Sequence, residues 1–299
     1  MGQHGDGARP KAMVTGASRG IGRCAALALA GRGFDVAITA RTVQEGDGRS
    51  STSSVKADAR SVPIPGSLET TAGEIRERGG EALVVPMDLL DRVSVGMALA
   101  TVMDHWGRVD VLVNNAVYQG PATMDRFLDI PLDLAERIVE GTYLHQLSLV
   151  QKVLPSMLAQ EPWDDAGTRG VIVNLTSGTV FVDPPAPVGE GGWGLAYVAG
   201  KAACSKMVGI LHAEFRSQGI RAYNVDPGHI VTENMRVLSG RAGDRPEGIT
   251  NTSPEIPGAV VGWLASDDDD AVGLAGQLVK AHRACKERAL VPGWPLPTS

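Results

Sequence analysis

Ala12-Met13-Val14-Thr15-Gly16-Ala17-Ser18-Arg19-Gly20-Ile21-Gly22 leads from a short apolar segment through a glycine-rich turn into a helical pattern. The apolar residues read as a buried strand. Residues 20–31 read as a helix that ends near Gly31 and Gly33. Gly16, Gly20 and Gly22 permit a tight turn and let the backbone approach a pyrophosphate closely. The N-terminus of the following helix adds N–H donors and a favourable dipole for an anion. The spacing is GxxxGxG rather than GxGxxG, and a tight strand–helix turn without a ligand would look the same in isolation. Its place at the first strand–helix junction favours a phosphate cradle.

Outward from this junction the alternation recurs. Residues 35–40, 82–86, 109–113, 170–175 and 220–225 read as further strands. Residues 68–79, 91–106, 131–160 and 195–218 read as helices, the third a single long one. Repeated units of this kind specify an α/β fold, a doubly wound parallel sheet of about seven strands with helices on both faces. One domain over residues 11–280 is expected, preceded by a flexible tail (1–10) and followed by an extension (281–299). Three stretches interrupt the pattern. Residues 42–67 are rich in Ser, Gly and Pro and fit either a functional loop or a floppy insertion. Residues 183–194 and the long connection over 233–256 adjoin the expected chemistry and read as functional.

With 28 Lys and Arg against 34 Asp and Glu, the net charge of −6 gives no support for nucleic-acid binding. Cys24, Cys204 and Cys285 are far apart, suggest neither disulfides nor a zinc site, and fit a reducing, cytoplasmic setting. Residues 1–10 lack the apolar core of a secretory signal, the Met-Gly start lacks a myristoylation Ser or Thr, and no apolar run is long enough for a membrane span. The scattered histidines show no metal-ligand spacing, and Asp267-Asp268-Asp269-Asp270 reads as a solvated turn, so no metal is expected.

Tyr197 and Lys201 lie four apart on a helical pattern and so project from one face. A phenol with a pKa of about 10 exchanges protons poorly at neutral pH, and a nearby ammonium is expected to lower that value. Together with the phosphate cradle, the pair points to hydride transfer between a nicotinamide cofactor and a carbonyl or alcohol.

Five segments carry a resemblance: TGASRGIG at 15–22, NNA at 114–116, NLTSG at 174–178, YVAGK at 197–201 and DPGHIVT at 226–232. Their order and content resemble the short-chain dehydrogenases/reductases from about residue 11 to about residue 280. The resemblance implies that Gly16, Gly20 and Gly22 hold the pyrophosphate, with Ser18, Arg19 and Ile21 in the same loop. It implies that Asp88 and Leu89 hold the adenine, and that Asn115 and Ala116 pack by the adenosine ribose. Pro227, Gly228, Ile230 and Thr232 match the segment that holds the nicotinamide amide and a phosphate. Ser177 would hydrogen-bond the substrate oxygen, Tyr197 would exchange the proton, and Lys201 would assist it and bond the nicotinamide ribose. A homodimer or homotetramer built on helices 131–160 and 195–218 is implied as well.

Cofactor choice is read at the end of the second strand. NAD sites place a carboxylate there for the ribose 2′-hydroxyl. This chain has Ala40-Arg41-Thr42, and Arg41 with Arg19 could bracket a 2′-phosphate, so NADP(H) is expected over NAD(H). The family's usual Asn in the helix after NNA is missing, since residues 133–160 contain none. Ile138 or Thr142 takes its place, depending on where an extra turn near residues 145–148 falls. His145 and Gln146 read as the polar face of an interface helix, with a part in the proton relay as the alternative. Phe181, Trp193, the Pro-rich segment 184–187, His229 and Met235 are expected near a substrate entrance suited to an apolar ketone or alcohol. A regulator that binds cofactor without turnover, and an epimerase or dehydratase on the same scaffold, remain as alternatives.

Overall fold

Seven short runs rich in Val, Ile, Leu and Ala form one sheet: Lys11–Thr15 (β1), Asp35–Ala40 (β2), Ala82–Pro86 (β3), Val111–Asn114 (β4), Gly170–Leu175 (β5), Ile220–Asp226 (β6) and Leu278–Lys280 (β7). The computed structural model describes residues 9–50, 52–57, 61–239 and 252–294. Residues 1–8 of the expected tail, 240–251 of the expected connection and 295–299 of the extension lie outside the described residues. The strand order is β3-β2-β1-β4-β5-β6-β7, and every neighbouring pair is parallel. Residues of β4 and β5 are buried throughout, because helices cover both faces of a parallel sheet and leave no solvated side. This is a single Rossmann-like α/β domain.

The helices are Gly20–Gly31 (α1), Leu68–Glu77 (α2), Arg92–Trp106 (α3), Leu132–Val139 (α4), His145–Ala159 (α5), Leu195–Phe215 (α6), Glu233–Ser239 (α7), Glu255–Leu264 (α8), Asp269–Gly273 (α9) and Ala281–Arg288 (α10). One core joins α1, α2, α8 and α10 to the sheet through Leu29, Leu68, Ile75, Val260, Val261 and Ala284. The other joins α3, α5 and α6 through Val95, Leu99, Leu149, Val153, Val208 and Leu211. The chain reverses its winding direction between β1 and β4. A crevice for a ligand opens at such a switch point, beyond the carboxyl ends of the strands.

Four elements depart from the sequence reading. The single helix expected over 131–160 is two helices joined by a π-helical turn, Glu140–Leu144, so the extra residue is absorbed there rather than near 145–148. The helix expected to reach 218 ends at Phe215 and tightens into a 3₁₀ turn. The long connection contains α7, and its last residues begin α8. Pro257, Gly258 and Gly262 hide α8 in the sequence, yet the proline sits in the first turn, where no N–H is needed. The acidic run is not all turn: Asp268 caps α9 through the Asp270 and Ala271 amides, and Asp270 pairs with Arg288 at 2.5 Å.

The described residues of the stretch 42–67 pair with one another. Ser50 N donates to the Val62 carbonyl at 2.7 Å and Ile64 N to the Gly48 carbonyl at 3.1 Å, so residues 48–50 and 62–64 form a short antiparallel ribbon. Lys280 ends β7, and α10 packs Ala284 and Cys285 against the α8 side of the core. Arg288 lies 4.6 Å from the centre of the Trp263 ring on α8. Among the described residues, no helix is long and apolar enough to cross a membrane, and no group of three or more side chains has metal-ligand geometry.

Gly258 and Gly262 let α8 lie directly on α1, where a Cβ on Gly258 would stand 2.7 Å from Cys24. Gly209 on α6 has open space around it. Gly258→Leu should therefore cost about 1–3 kcal/mol by overpacking. Gly209→Ala should be neutral or add up to about 1 kcal/mol. Urea midpoints of the two variants measure both.

Candidate active site

The carboxyl ends of β1–β6 and the loops beyond them enclose a cleft of about 710 Å³. Its phosphate end is built by the turn between β1 and α1. Gly16 and Gly20 have φ of +69° and +56°, backbone that L side chains rarely adopt. A Cβ on Gly22 would overlap the Gly16 carbonyl, so this glycine is needed for closure of the turn and lies outside the cleft lining. Asn115 Nδ2 donates to the Thr15 and Gly16 carbonyls at 2.8 and 3.2 Å, and Thr15 Oγ1 accepts from the Asn115 and Ala116 amides. The NNA segment thus holds the glycine turn from the β4 side. Gly16, Ser18, Gly20 and Ile21 line the cleft, which is the cradle that a pyrophosphate requires.

Farther along the cleft, Asp88 and Leu89 lie beyond β3. The Asp88 carboxylate accepts from the Leu90 amide at 3.0 Å, which shapes this turn. Arg41 is exposed in the cleft just past β2, where Ala40, Arg41 and Thr42 include no carboxylate; Asp47 lines the same cleft farther along the chain. Arg19 also touches the cleft, but its guanidinium donates to the Pro65 and Gly66 carbonyls at 2.9 and 2.8 Å and to Thr42 Oγ1 at 3.2 Å. It staples the two ends of the 42–67 insertion together. Burial pushes the Arg19 pKa down, Glu233 and Glu45 pull it up, and the nearby Arg41 lowers it again.

At the opposite end stand Tyr197 and Lys201 on α6. Ser177, at the end of β5, hydrogen-bonds Tyr197 and accepts from Thr179 Oγ1 at 2.9 Å. Burial pushes the Tyr197 phenol above its ordinary value; the Ser177 hydrogen bond opposes that shift, and the Asp226 carboxylate adds to it. The expected lowering by Lys201 does not appear: burial sets the direction, and the opposing hydrogen bond comes from Ser177. The Lys201 ammonium is itself buried, which pushes its pKa down, and it donates to the Leu175 carbonyl at 2.5 Å.

The placement of α6 comes from a ladder of buried amides. Asn114, Asn174 and Asn224 face one another across β4, β5 and β6. Asn114 Nδ2 donates to Asn174 Oδ1 at 2.9 Å. Asn174 Nδ2 donates to the Cys204 carbonyl at 3.0 Å, and Asn224 Nδ2 to the Ser205 carbonyl at 2.8 Å. Thr176 and Ser205 join hydroxyls, and Ser205 Oγ donates to the Lys201 carbonyl at 2.8 Å. These bonds fix which turn of α6 faces the end of β5.

Several residues sit elsewhere than expected. His145 and Gln146 are buried, not on a polar outer face. His145 Nδ1 donates to the Leu89 carbonyl at 2.7 Å, and Gln146 Nε2 to the Ala116 carbonyl at 2.8 Å. Ile138 packs with Ala122 and Ala196, whereas Thr142 in the π-helical turn packs against Gly200, beside Lys201. Pro227 and Thr232 line the cleft; Gly228 and Ile230 do not. Gly228 N and Gly178 N both donate to Asp226 Oδ1, at 3.1 and 3.0 Å, so this carboxylate ties the end of β5 to the loop after β6. Phe181, Trp193 and His229 lie outside the cleft lining, and the Met235 side chain lies outside the described residues. Sequence reasoning missed Arg49, Tyr118 and Arg137, all on the cleft wall, because each belongs to a segment without a motif.

Residues 53–241, more than half of the chain, match the short chain dehydrogenase family. The chain is a short-chain dehydrogenase/reductase. It is 30% identical over 228 residues to a 3-oxoacyl-(acyl-carrier-protein) reductase of Staphylococcus epidermidis, covering 76% of this chain and 78% of the relative. It is 26% identical over 269 residues to the oxidoreductase UcpA of Salmonella typhimurium, covering 86% and 88%. The structure of a 3-oxoacyl-(acyl-carrier protein) reductase from Brucella melitensis in complex with NAD superposes with a TM-score of 0.69 at 25% identity, over 92% of this chain and 96% of that one. This short-chain dehydrogenase/reductase is accordingly an NAD(P)-dependent oxidoreductase.

Replacing Asn174 by Ala removes the acceptor of Asn114 and the donor to α6 in one step. The variant should lose about 1–3 kcal/mol of stability, because the buried partner is left unsatisfied. Urea denaturation followed by circular dichroism checks this.

Proposed function

We propose that the protein interconverts a carbonyl and an alcohol with NADP(H), Tyr197 acting as the general acid and base. The observation that carries this reading is that Tyr197 and Lys201 line the same cleft as the glycine cradle, with Ser177, just outside the lining, hydrogen-bonded to Tyr197. Bound nicotinamide would supply or accept the hydride. Gly16, Ser18, Gly20, Ile21, Asp88, Leu89, Asn115 and Ala116 would hold the phosphate and adenosine portions, and Pro227 and Thr232 the nicotinamide portion, with Gly228 and Ile230 shaping the loop that carries them. Gly22 would act through the turn it closes.

Ser177 would orient the substrate oxygen toward the phenol. In reduction, Tyr197 would give its proton to that oxygen as the hydride arrives at carbon; in oxidation it would take the proton back. Lys201 would reach the nicotinamide ribose. Support for NADP(H) comes from Arg41 and the absence of a carboxylate at the end of β2. The family relatives make 3-oxoacyl thioesters a natural part of any substrate panel, beside apolar ketones. A homo-oligomer built on α5 and α6 would follow the family pattern.

Tyr197→Phe should reduce turnover by about 10²- to 10⁴-fold, the size of a lost proton transfer. Its NADPH affinity should stay within about twofold, because the phenol oxygen contributes to chemistry rather than to the phosphate contacts. Titration by NADPH fluorescence and steady-state assays against a panel of ketones and thioesters measure the two. Wild-type activity in this variant would remove the mechanism.

The upward shift of Tyr197 sets the pH dependence. The protonated phenol is the acid, so kcat/KM for reduction should be flat through neutral pH and fall only above about pH 10, the ordinary tyrosine value. Oxidation requires the phenolate and should rise toward alkaline pH. A limb centred near pH 7 in either direction would contradict this assignment.

A further inference from the structure

We propose that the ribbon inserted after β2 roofs the adenosine half of the cleft, and that its Arg49, together with Arg41, binds the phosphate monoester on the adenosine ribose. The inference rests on the NADP(H) reading above and names the groups that would recognise the cofactor.

Arg19 is the other guanidinium that the sequence offers for this phosphate. Its hydrogen bonds to the Pro65 and Gly66 carbonyls and to Thr42 already occupy it. A Cβ on Gly48 would stand 2.6 Å from an Arg19 nitrogen, so the ribbon lies directly on this side chain. Withdrawing Arg19 to a ligand would release both ends of the insertion.

Arg49 is differently placed. It sits in the paired part of the ribbon, opposite Pro63. Its Nη1 donates to the Gly46 and Gly48 carbonyls at 2.6 and 3.0 Å, which aims an exposed guanidinium from a fixed backbone. Arg49, Ser50 and Ile64 line the same cleft as Arg41 and Thr42. The far end of the ribbon is braced as well. Ser54 Oγ and Val55 N donate to the buried Asp125 carboxylate at 2.5 and 2.8 Å, and Met124 N donates to the Ser53 carbonyl at 2.8 Å. Residues 53–55 are thus tied to the loop after β4, and residues 48–50 and 62–64 lie against Arg19 near the end of β2. Two guanidiniums on a rigid frame suit a phosphate dianion, with geometry that an ammonium would not reproduce.

One residue on this wall has the opposite chemistry. Asp47 lines the cleft beside Arg49 and would accept from a ribose 2′-hydroxyl rather than hold a phosphate. The proposal assigns the two arginines the dominant part.

The test measures dissociation constants of NADPH, NADH, 2′,5′-ADP and 5′-AMP for the full chain, for Arg49→Gln, for Arg49→Lys and for Asp47→Asn. The expected result is that Arg49→Gln weakens NADPH and 2′,5′-ADP by about tenfold or more while NADH and 5′-AMP stay within about twofold. Arg49→Lys should fall between Arg49→Gln and the wild type, and Asp47→Asn should bind NADPH at least as well as the wild type. Equal weakening of both cofactors would make the ribbon structural and overturn the proposal. So would a wild-type NADPH preference that survives Arg49→Gln, which leaves the cofactor reading standing. A wild-type preference for NADH would remove the cofactor reading itself, and the proposal with it.

Discussion

The position of one helix on a parallel sheet governs the chemistry of this molecule. In the proposed mechanism, Tyr197 and Lys201 act only if the turn of α6 that carries them faces the end of β5. Apolar contacts alone tolerate sliding, since Val208 and Leu211 would find other aliphatic neighbours. The buried amide ladder of Asn114, Asn174 and Asn224 does not tolerate it, because each donor has one carbonyl within reach. A slip would leave several polar groups buried and unpaired, at about 1–3 kcal/mol each. Polar groups in the core thus specify a register that hydrophobic burial would leave loose.

The two ends of the cleft are held by different means. At the phosphate end, backbone does the work: Gly22 closes against Gly16, and Asn115 pins the turn from β4. At the Tyr197 end, buried side chains do it, and burial shifts both titrating groups. Desolvation raises the Tyr197 phenol and lowers the Lys201 ammonium, so each is biased toward its neutral form. A protonated phenol is the form that carbonyl reduction needs.

Much of this was legible in the sequence, and the exceptions have physical causes. β2, β3 and β5 were readable as continuous apolar runs because both sheet faces are covered. The glycine turn was readable because its backbone conformation excludes other residues. α8 was not, because Pro257 and Gly258 look like breakers, yet the proline sits where a helix tolerates it and the glycine admits α1. The π-helical turn was not, because one inserted residue leaves the apolar pattern of residues 131–160 nearly intact. The role of Arg19 could not be read from its place in the glycine loop, since the carbonyls that occupy it come from Pro65 and Gly66, 46 and 47 residues along the chain. Long-range pairing of a loop with itself leaves no periodic signal.

The central claim is that hydride passes between a bound nicotinamide and a substrate carbon at the Tyr197 end of the cleft. Stereospecifically 4-deuterated NADPH, incubated with the protein and a panel of ketones and 3-oxoacyl thioesters, tests it most directly by mass spectrometry of the products. The account predicts one deuterium on the new carbinol carbon, from one face of the cofactor only. Tight NADPH binding with no label in any product across the panel would contradict it.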